Sequence, residues 1–203
     1  MTKLYITRHG ETEWNDKGLM QGWQNSPLTE LGKKQALWLG ERIKDLEIDV
    51  IYSSPLGRAY NTAELIRGNR DIEIIIHDDL KEMKMGIIEG LNQEEIRAIN
   101  EENHYNFWNV PSKYIKVEEG ENFQEIVDRS FKAIKEILEK EKGKKILIVT
   151  HAITLKAYLC ALEKRDIDTL WDPPFIKQTS LTEINFKEDG YEIPLRACIK
   201  HHK

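Results

Sequence analysis

L-Y-I-T-R-H-G-E-T-E-W-N, residues 4 to 15, opens with a short apolar run that stops on an arginine, a histidine and a glycine in succession. A run of this kind predicts a strand buried on both faces, and Gly10 predicts a sharp turn at its end. The pattern recurs twice. Val50 to Ser53 (V-I-Y-S) reads as a second strand, running into Ser54-Pro55-Leu56-Gly57-Arg58. Ser54 suits a helix N-cap and Pro55 the first helical position, which places Arg58 in the first turns of a helix. Ile146 to Thr150 (I-L-I-V-T) is a third buried run, bounded by Gly143 and followed at once by His151. In an open α/β sheet, ligands gather outside the carboxyl ends of the parallel strands. Three strands therefore each deliver a group suited to an oxyanion: Arg8 with His9, Arg58, and His151.

Working outward, strand and helix alternate, which predicts an α/β three-layer sandwich with a mostly parallel central sheet and helices on both faces. Thr29 to Leu46 reads as a helix with Ala36, Leu39, Ile43 and Leu46 on one stripe, and Ile72 to Ile76 as a further strand. The clearest helix is Asn122 to Lys142, capped by Asn122 with Glu125 three residues on and closed by Gly143. A helix from His151 to about Glu163 follows. Thr179 to Phe186 and Tyr191 to Ile199 read as closing strands, joined as a hairpin around Glu188-Asp189-Gly190.

Several of these stretches together resemble the histidine phosphatase superfamily, which includes the cofactor-dependent phosphoglycerate mutases and many small phosphatases. The matching pieces are R-H-G-E-T-E-W-N at 8 to 15, M-Q-G-W-Q-N-S-P-L-T-E-L-G at 20 to 32, S-S-P-L-G-R-A-Y-N-T-A-E at 53 to 64, L-K-E-M-K-M-G-I-I-E-G at 80 to 90, and V-T-H-A at 149 to 152. The resemblance implies that His9 is the nucleophile that becomes phosphorylated, and that Arg8, Arg58 and His151 hold the phosphoryl oxygens. Asn15 adds a neutral donor, and Gln21 and Gly22 fall among the substrate-binding positions. Glu82 matches the family's acid, with Asp78, Asp79 and Glu89 near enough in sequence to substitute for it.

Each role also has a physical reason. A phosphoryl group in transfer spreads negative charge over its oxygens, so preorganised cations supply most of the catalysis. Arginine binds two oxygens at once and stays charged at any working pH. His9 must attack as neutral imidazole with its second nitrogen pinned by an acceptor. Glu82 must carry a proton for part of the time, which calls for a partly desolvated site. Glu11 and Thr12 shape the turn after His9, while His77, His104, His201 and His202 match no motif and read as surface residues.

Two histidines near carboxylates also raise a metal site. The chain has no H-E-x-x-H, no paired-cysteine spacing and no Asp-rich loop, and a guanidinium beside His9 repels a cation, so no metal and no cofactor is expected. No G-x-x-x-x-G-K-[ST] string occurs, which removes the usual nucleotide-dependent kinases and ATPases. At 203 residues and 40% apolar content the chain suits a single domain over 1–203. A net charge of −5 favours neither nucleic acid nor an acidic membrane as partner. With no apolar span, no signal-peptide features and two unpatterned cysteines, Cys160 and Cys198, the expected location is the cytoplasm and the expected partner a small phosphate ester.

Leu91 to Glu119, polar and aromatic by turns, reads as an inserted helical cap that sets substrate choice. Tyr105 and Trp108 are its candidates for lining the substrate entrance, and most of its aromatics are expected to pack the insertion onto the sheet. Against the family pattern, Ala152 follows His151 where glycine is usual, Met85 and Ile87-Ile88 replace more aromatic residues, and Gly120-Glu121-Asn122 stands where many family phosphatases carry G-E-S. The expected activity is that of a metal-independent phosphomonoesterase of the histidine acid phosphatase type. The alternative is phosphoglycerate mutase-type transfer back to a substrate hydroxyl, and a third reading is a phosphate-binding module without turnover. Gln21, where mutases usually have a small hydroxyl residue, and the lack of a long insertion favour hydrolysis.

Overall fold

The computed structural model describes all 203 residues. In chain order the elements are β1 (Thr2–Arg8), α1 (Glu13–Asp16), α2 (Glu30–Arg42), β2 (Val50–Ser53), α3 (Gly57–Arg67), β3 (Ile74–Ile76), α4 (Gln93–Ile99), α5 (Glu101–Asn109), α6 (Phe123–Lys140), β4 (Lys145–Thr150), α7 (Ala152–Leu162), β5 (Leu181–Lys187) and β6 (Gly190–Cys198). The strands form one sheet of order β3-β2-β4-β1-β5-β6. The first four run parallel; β5 and β6 are antiparallel additions at one edge. β4 lies between β1 and β2, pairing Arg8 with Thr150 and Ser53 with Val149, so the three strands end at the same level.

Alternation along each strand sends residues to two cores. Leu4, Ile6, Val50, Tyr52, Ile146 and Ile148 meet Ile134 and Ile137 of α6 and Leu155 and Leu159 of α7. Tyr5, Ile51, Leu147 and Val149 meet Ala36 and Leu39 of α2 and Ala59, Ala63 and Ile66 of α3. With each fully buried Leu or Ile side chain contributing roughly 1.5–3 kcal/mol, strands apolar on both faces hold the layers together. The sandwich with helices on both faces is thus the architecture the alternation predicts.

Element ends differ from the sequence reading in a few places. The helix expected from 29 to 46 stops at Arg42, and a separate turn of 3₁₀-helix spans Lys44–Leu46. α3 starts at Gly57 rather than beside Ser54, because its capping acceptor comes from elsewhere: Asn25 Oδ1 accepts the Arg58 N–H. The capping box of α6 forms as read, with Asn122 accepting from the Glu125 N–H and Glu125 from the Asn122 N–H. His201 and His202 lie at the surface but are packed rather than free. Both are half-buried, with His202 6.1 Å from Trp38 and hydrogen-bonded to Thr179.

The segment from 91 to 119 folds as α4, α5 and a 3₁₀ turn. Its aromatics do not reach the sheet. Ile96, Phe107 and Tyr114 join a third core with Phe123 and Ile126 of α6 and Ile153 and Ala157 of α7.

Candidate active site

The turn after β1 is held from three sides. The His9 N–H donates to Thr150 O of β4, the Gly10 N–H to the Thr62 hydroxyl of α3, and the Glu11 N–H to Gln35 of α2. The start of α2 presses so closely that a Cβ on Gly32 would lie 2.0 Å from Glu11 O. Only glycine allows that approach.

His9, 3% exposed, places its Nδ1 2.7 Å from Gly10 O. A carbonyl only accepts, so Nδ1 carries the proton and Nε2 keeps its lone pair. That lone pair accepts from Arg58 Nε at 3.3 Å. Arg58 is 1% exposed and also donates through Nη2 to Gly22 O (2.6 Å) and Nη1 to Gln24 O (2.8 Å). His151 follows β4 directly, with its ring centroid 5.2 Å from that of His9 and its Nε2 2.8 Å from the Ser54 hydroxyl. When Ser54 donates to Nε2, His151 Nδ1 bears the proton. Two polar atoms here are buried without a partner, Arg8 Nε and His151 Nδ1. Buried donors are rarely left so, and each is of a kind that suits an oxyanion.

The electrostatics follow from burial among cations. His9 is pushed well below its ordinary pKa, first by burial and then by Arg58 and Arg8. His151 is lowered the same way, by burial and then by Arg58 and His9. Burial brings Arg58 down to about 10, partly offset by Glu82, which leaves it a cation at neutral pH. Both imidazoles are therefore neutral while the guanidiniums stay charged.

Glu82 is 6% exposed and sits at the N-terminus of α7, where it accepts from the Ile153 and Thr154 N–H groups, the Thr154 hydroxyl and the Met83 N–H. These donors fix the orientation of its carboxyl group. Of the competing acids, Glu89 has a different task. It accepts from the N–H groups of Trp23, Gln24 and Met85 and so clamps the loop that receives Arg58. Asp78 pairs with Lys81, and Asp79 holds Arg129 through its carbonyl.

A cavity of about 310 Å³ has Arg8, His9, Asn15, Gln21, Glu82 and Trp108 on its wall, while Arg58 and His151 adjoin His9 without lining the cavity. Asn15 Oδ1 is committed to the Thr12 N–H in the cap of α1. Gln21 is held between the Thr12 and Ser26 hydroxyls. Gly22 acts at one remove, through the carbonyl that orients Arg58. Tyr105 is a correction: it is 58% exposed and lies off the cavity, because α5 turns Phe107 inward and Tyr105 outward. Trp108 does reach the wall, fixed by its Nε1 on Gln93. Sequence reasoning missed Lys156, Trp171, Phe175 and Ile176, which also line the cavity. A larger cavity, about 1030 Å³, opens at the opposite end of the sheet beside Thr2 and Gly143 and contains none of these groups. Sequence reasoning also missed Arg129, which donates to the carbonyls of Asp79, Lys81 and Glu82, pairs with Glu121 at 2.7 Å and so fixes the Glu82 loop.

The sequence pattern of the histidine phosphatase superfamily (branch 1) matches residues 4–198. The chain belongs to that superfamily. It is 33% identical over 171 residues to phosphoserine phosphatase 1 of Hydrogenobacter thermophilus, covering 84% of this chain and 81% of the relative. It is 36% identical over 155 residues to the probable phosphoglycerate mutase GpmB of Escherichia fergusonii, covering 76% and 72%. The solved structure of Bacillus stearothermophilus YhfR superposes with a TM-score of 0.96 at 38% identity over the full length of both chains. No helix is long and apolar enough to cross a membrane.

Proposed function

We propose that the chain hydrolyses small phosphomonoesters through a phosphohistidine on His9, without a metal ion. The observation that carries the reading is the state of His9, a buried neutral imidazole with Nδ1–H tied to Gly10 O and an unprotonated Nε2 that accepts only from Arg58 Nε. Nε2 forms the bond to phosphorus as the ester P–O bond breaks, and Glu82 gives its proton to the departing oxygen. Arg8, Arg58 and His151 Nδ1–H hold the three non-bridging oxygens, and Nδ1–H on Gly10 O stabilises the positive charge gained by the ring. Glu82, now a carboxylate, takes a proton from the water that attacks phosphorus. The P–N bond breaks, phosphate leaves, and neutral His9 is restored. Segment 91 to 119, which supplies Phe107 and Trp108 to the cavity, serves as its cap within a single domain.

Mutase-type transfer shares the first half of this sequence. Purified protein is to be incubated with 3-phosphoglycerate, with and without 2,3-bisphosphoglycerate. Free phosphate is the expected product; rapid formation of 2-phosphoglycerate with little free phosphate overturns the hydrolase reading.

A further inference from the structure

Lys156 is the one ionisable side chain of the cavity for which the proposed chemistry has no use. It lies on α7, and Ala152, Ile153 and Lys156 share the helical face that borders the cavity. Only 4% exposed, it donates from Nζ to Leu170 O (3.0 Å) and Asp172 O (2.7 Å). An ammonium has three N–H donors, so one is uncommitted. Lys156 forms no ion pair; of the charges around it, Arg165 and Arg196 are both paired with Glu163, and Asp172 is the acid left nearby. A buried cation without an anion is costly, and a charge kept at such a cost in a catalytic cavity is a candidate for binding one.

The rest of that wall offers no second cation. Met20, Met85, Phe107, Trp108 and Trp171 are apolar or aromatic, and Gln93, whose Oε1 already accepts from His104 and Trp108, has only neutral amide N–H groups to offer. The phosphoryl end has its own donors in Arg8, Arg58 and His151. We infer that Lys156 is a specificity residue that binds a carboxylate on the alcohol part of the substrate, so that the enzyme selects phosphate esters of small hydroxy acids over neutral esters. This rests on the cavity being the catalytic one. One free N–H against an apolar wall suits a singly charged group; a second phosphate would leave charged oxygens unpaired. A volume near 310 Å³ limits the whole ester to a small molecule.

The test compares the parent protein with Lys156→Met and Lys156→Arg on 3-phosphoglycerate and on phenyl phosphate. For Lys156→Met the ratio of kcat/KM for 3-phosphoglycerate to that for phenyl phosphate falls at least tenfold, with the loss chiefly in KM, and Lys156→Arg restores part of it. Equal losses on both substrates would show that Lys156 only ties Leu170 and Asp172 together, and an unchanged ratio likewise overturns the inference. A second readout does not need turnover. In a His9→Ala background, calorimetry shows 3-phosphoglycerate binding at least tenfold more tightly than phenyl phosphate, and adding Lys156→Met removes the preference. Equal binding of the two ligands in His9→Ala overturns the subsite. Binding preference without hydrolysis by the parent overturns the hydrolase reading instead and leaves the subsite standing.

Discussion

Replacing Arg58 by lysine keeps the charge and removes the fork. In the structure the guanidinium does three things at once: Nε faces His9 Nε2, Nη1 holds Gln24 O and Nη2 holds Gly22 O. A single ammonium at the same depth cannot reach all three positions, and the planar fork that aims a remaining N–H at a phosphoryl oxygen is lost. Loss of one preorganised donor to a developing oxyanion lowers kcat by about 10²–10³, or about 2.7–4 kcal/mol. Lysine also leaves at least one of the two carbonyls without a partner, at about 1–3 kcal/mol. In a domain of this size that lowers Tm by roughly 2–12 °C. The assay is steady-state hydrolysis of phenyl phosphate with a thermal melt on the same preparation, below the lower of the two transitions. A folded Arg58→Lys protein with kcat/KM within threefold of the parent would refute the reasoning, because the site would then need charge alone.

Glu82→Gln keeps the size of the side chain but has no proton to give. Its kcat/KM on alkyl phosphates is expected to fall by about 10²–10⁴, and much less on p-nitrophenyl phosphate, whose leaving group needs no acid; equal losses in kcat/KM on both would remove Glu82 from that role. The pH profile carries a second test. His9 is neutral well below its ordinary value of 6.5, so the acid limb of kcat/KM lies below pH 6.5 once the substrate's own ionisation near pH 6 is corrected for. An acid limb at or above 6.5 contradicts the assigned environment. The same depression lowers stability in acid: the unfolded chain takes up protons below pH 6.5 that buried His9 and His151 refuse, and His201, lowered by burial to about 4, extends the loss down to that pH. Thermal melts from pH 7 to pH 4 check this, and a His201→Gln protein should show a shallower fall. Gly32→Ala places a methyl 2.0 Å from Glu11 O, and backbone must move to admit it. A destabilisation of about 1–3 kcal/mol is expected together with reduced kcat, since the displaced turn is the one that carries His9.

The chemistry was legible because it lies at strand ends, where a buried apolar run stops on a charged residue. Arg8, His9 and His151 are the residues immediately after or at the end of β1 and β4, so finding the strand places the side chain. Arg58 needed only the start of a helix. What stayed hidden depends on contacts between distant segments. Ser54 looks like a helix cap in sequence, yet its hydroxyl serves His151 and the cap comes from Asn25, 33 residues before the Arg58 N–H it accepts from. Glu82 and Glu89 are indistinguishable as exposed-looking acids in a charged turn; one meets the N-terminus of α7 and the other the loop of residues 22–24. Tyr105 and Trp108 both read as candidate cavity residues, and the rotation of α5, set by Phe107 in the third core, decides between them. Lys156 gave no signal at all, since a lysine in an apolar helix reads as its solvent-facing residue, and only the fold back of residues 170–172 buries it.

The central claim is that phosphorus is bonded to His9 Nε2 between substrate and water. Rapid acid-free quenching of the protein during turnover of a labelled phosphomonoester, followed by peptide mass spectrometry in alkali, measures this directly. The account predicts a phosphoryl group on His9, present only while substrate lasts, absent from His9→Ala and accumulating in Glu82→Gln with p-nitrophenyl phosphate. Product released at the parent rate with no label on His9, or label on another residue, contradicts it.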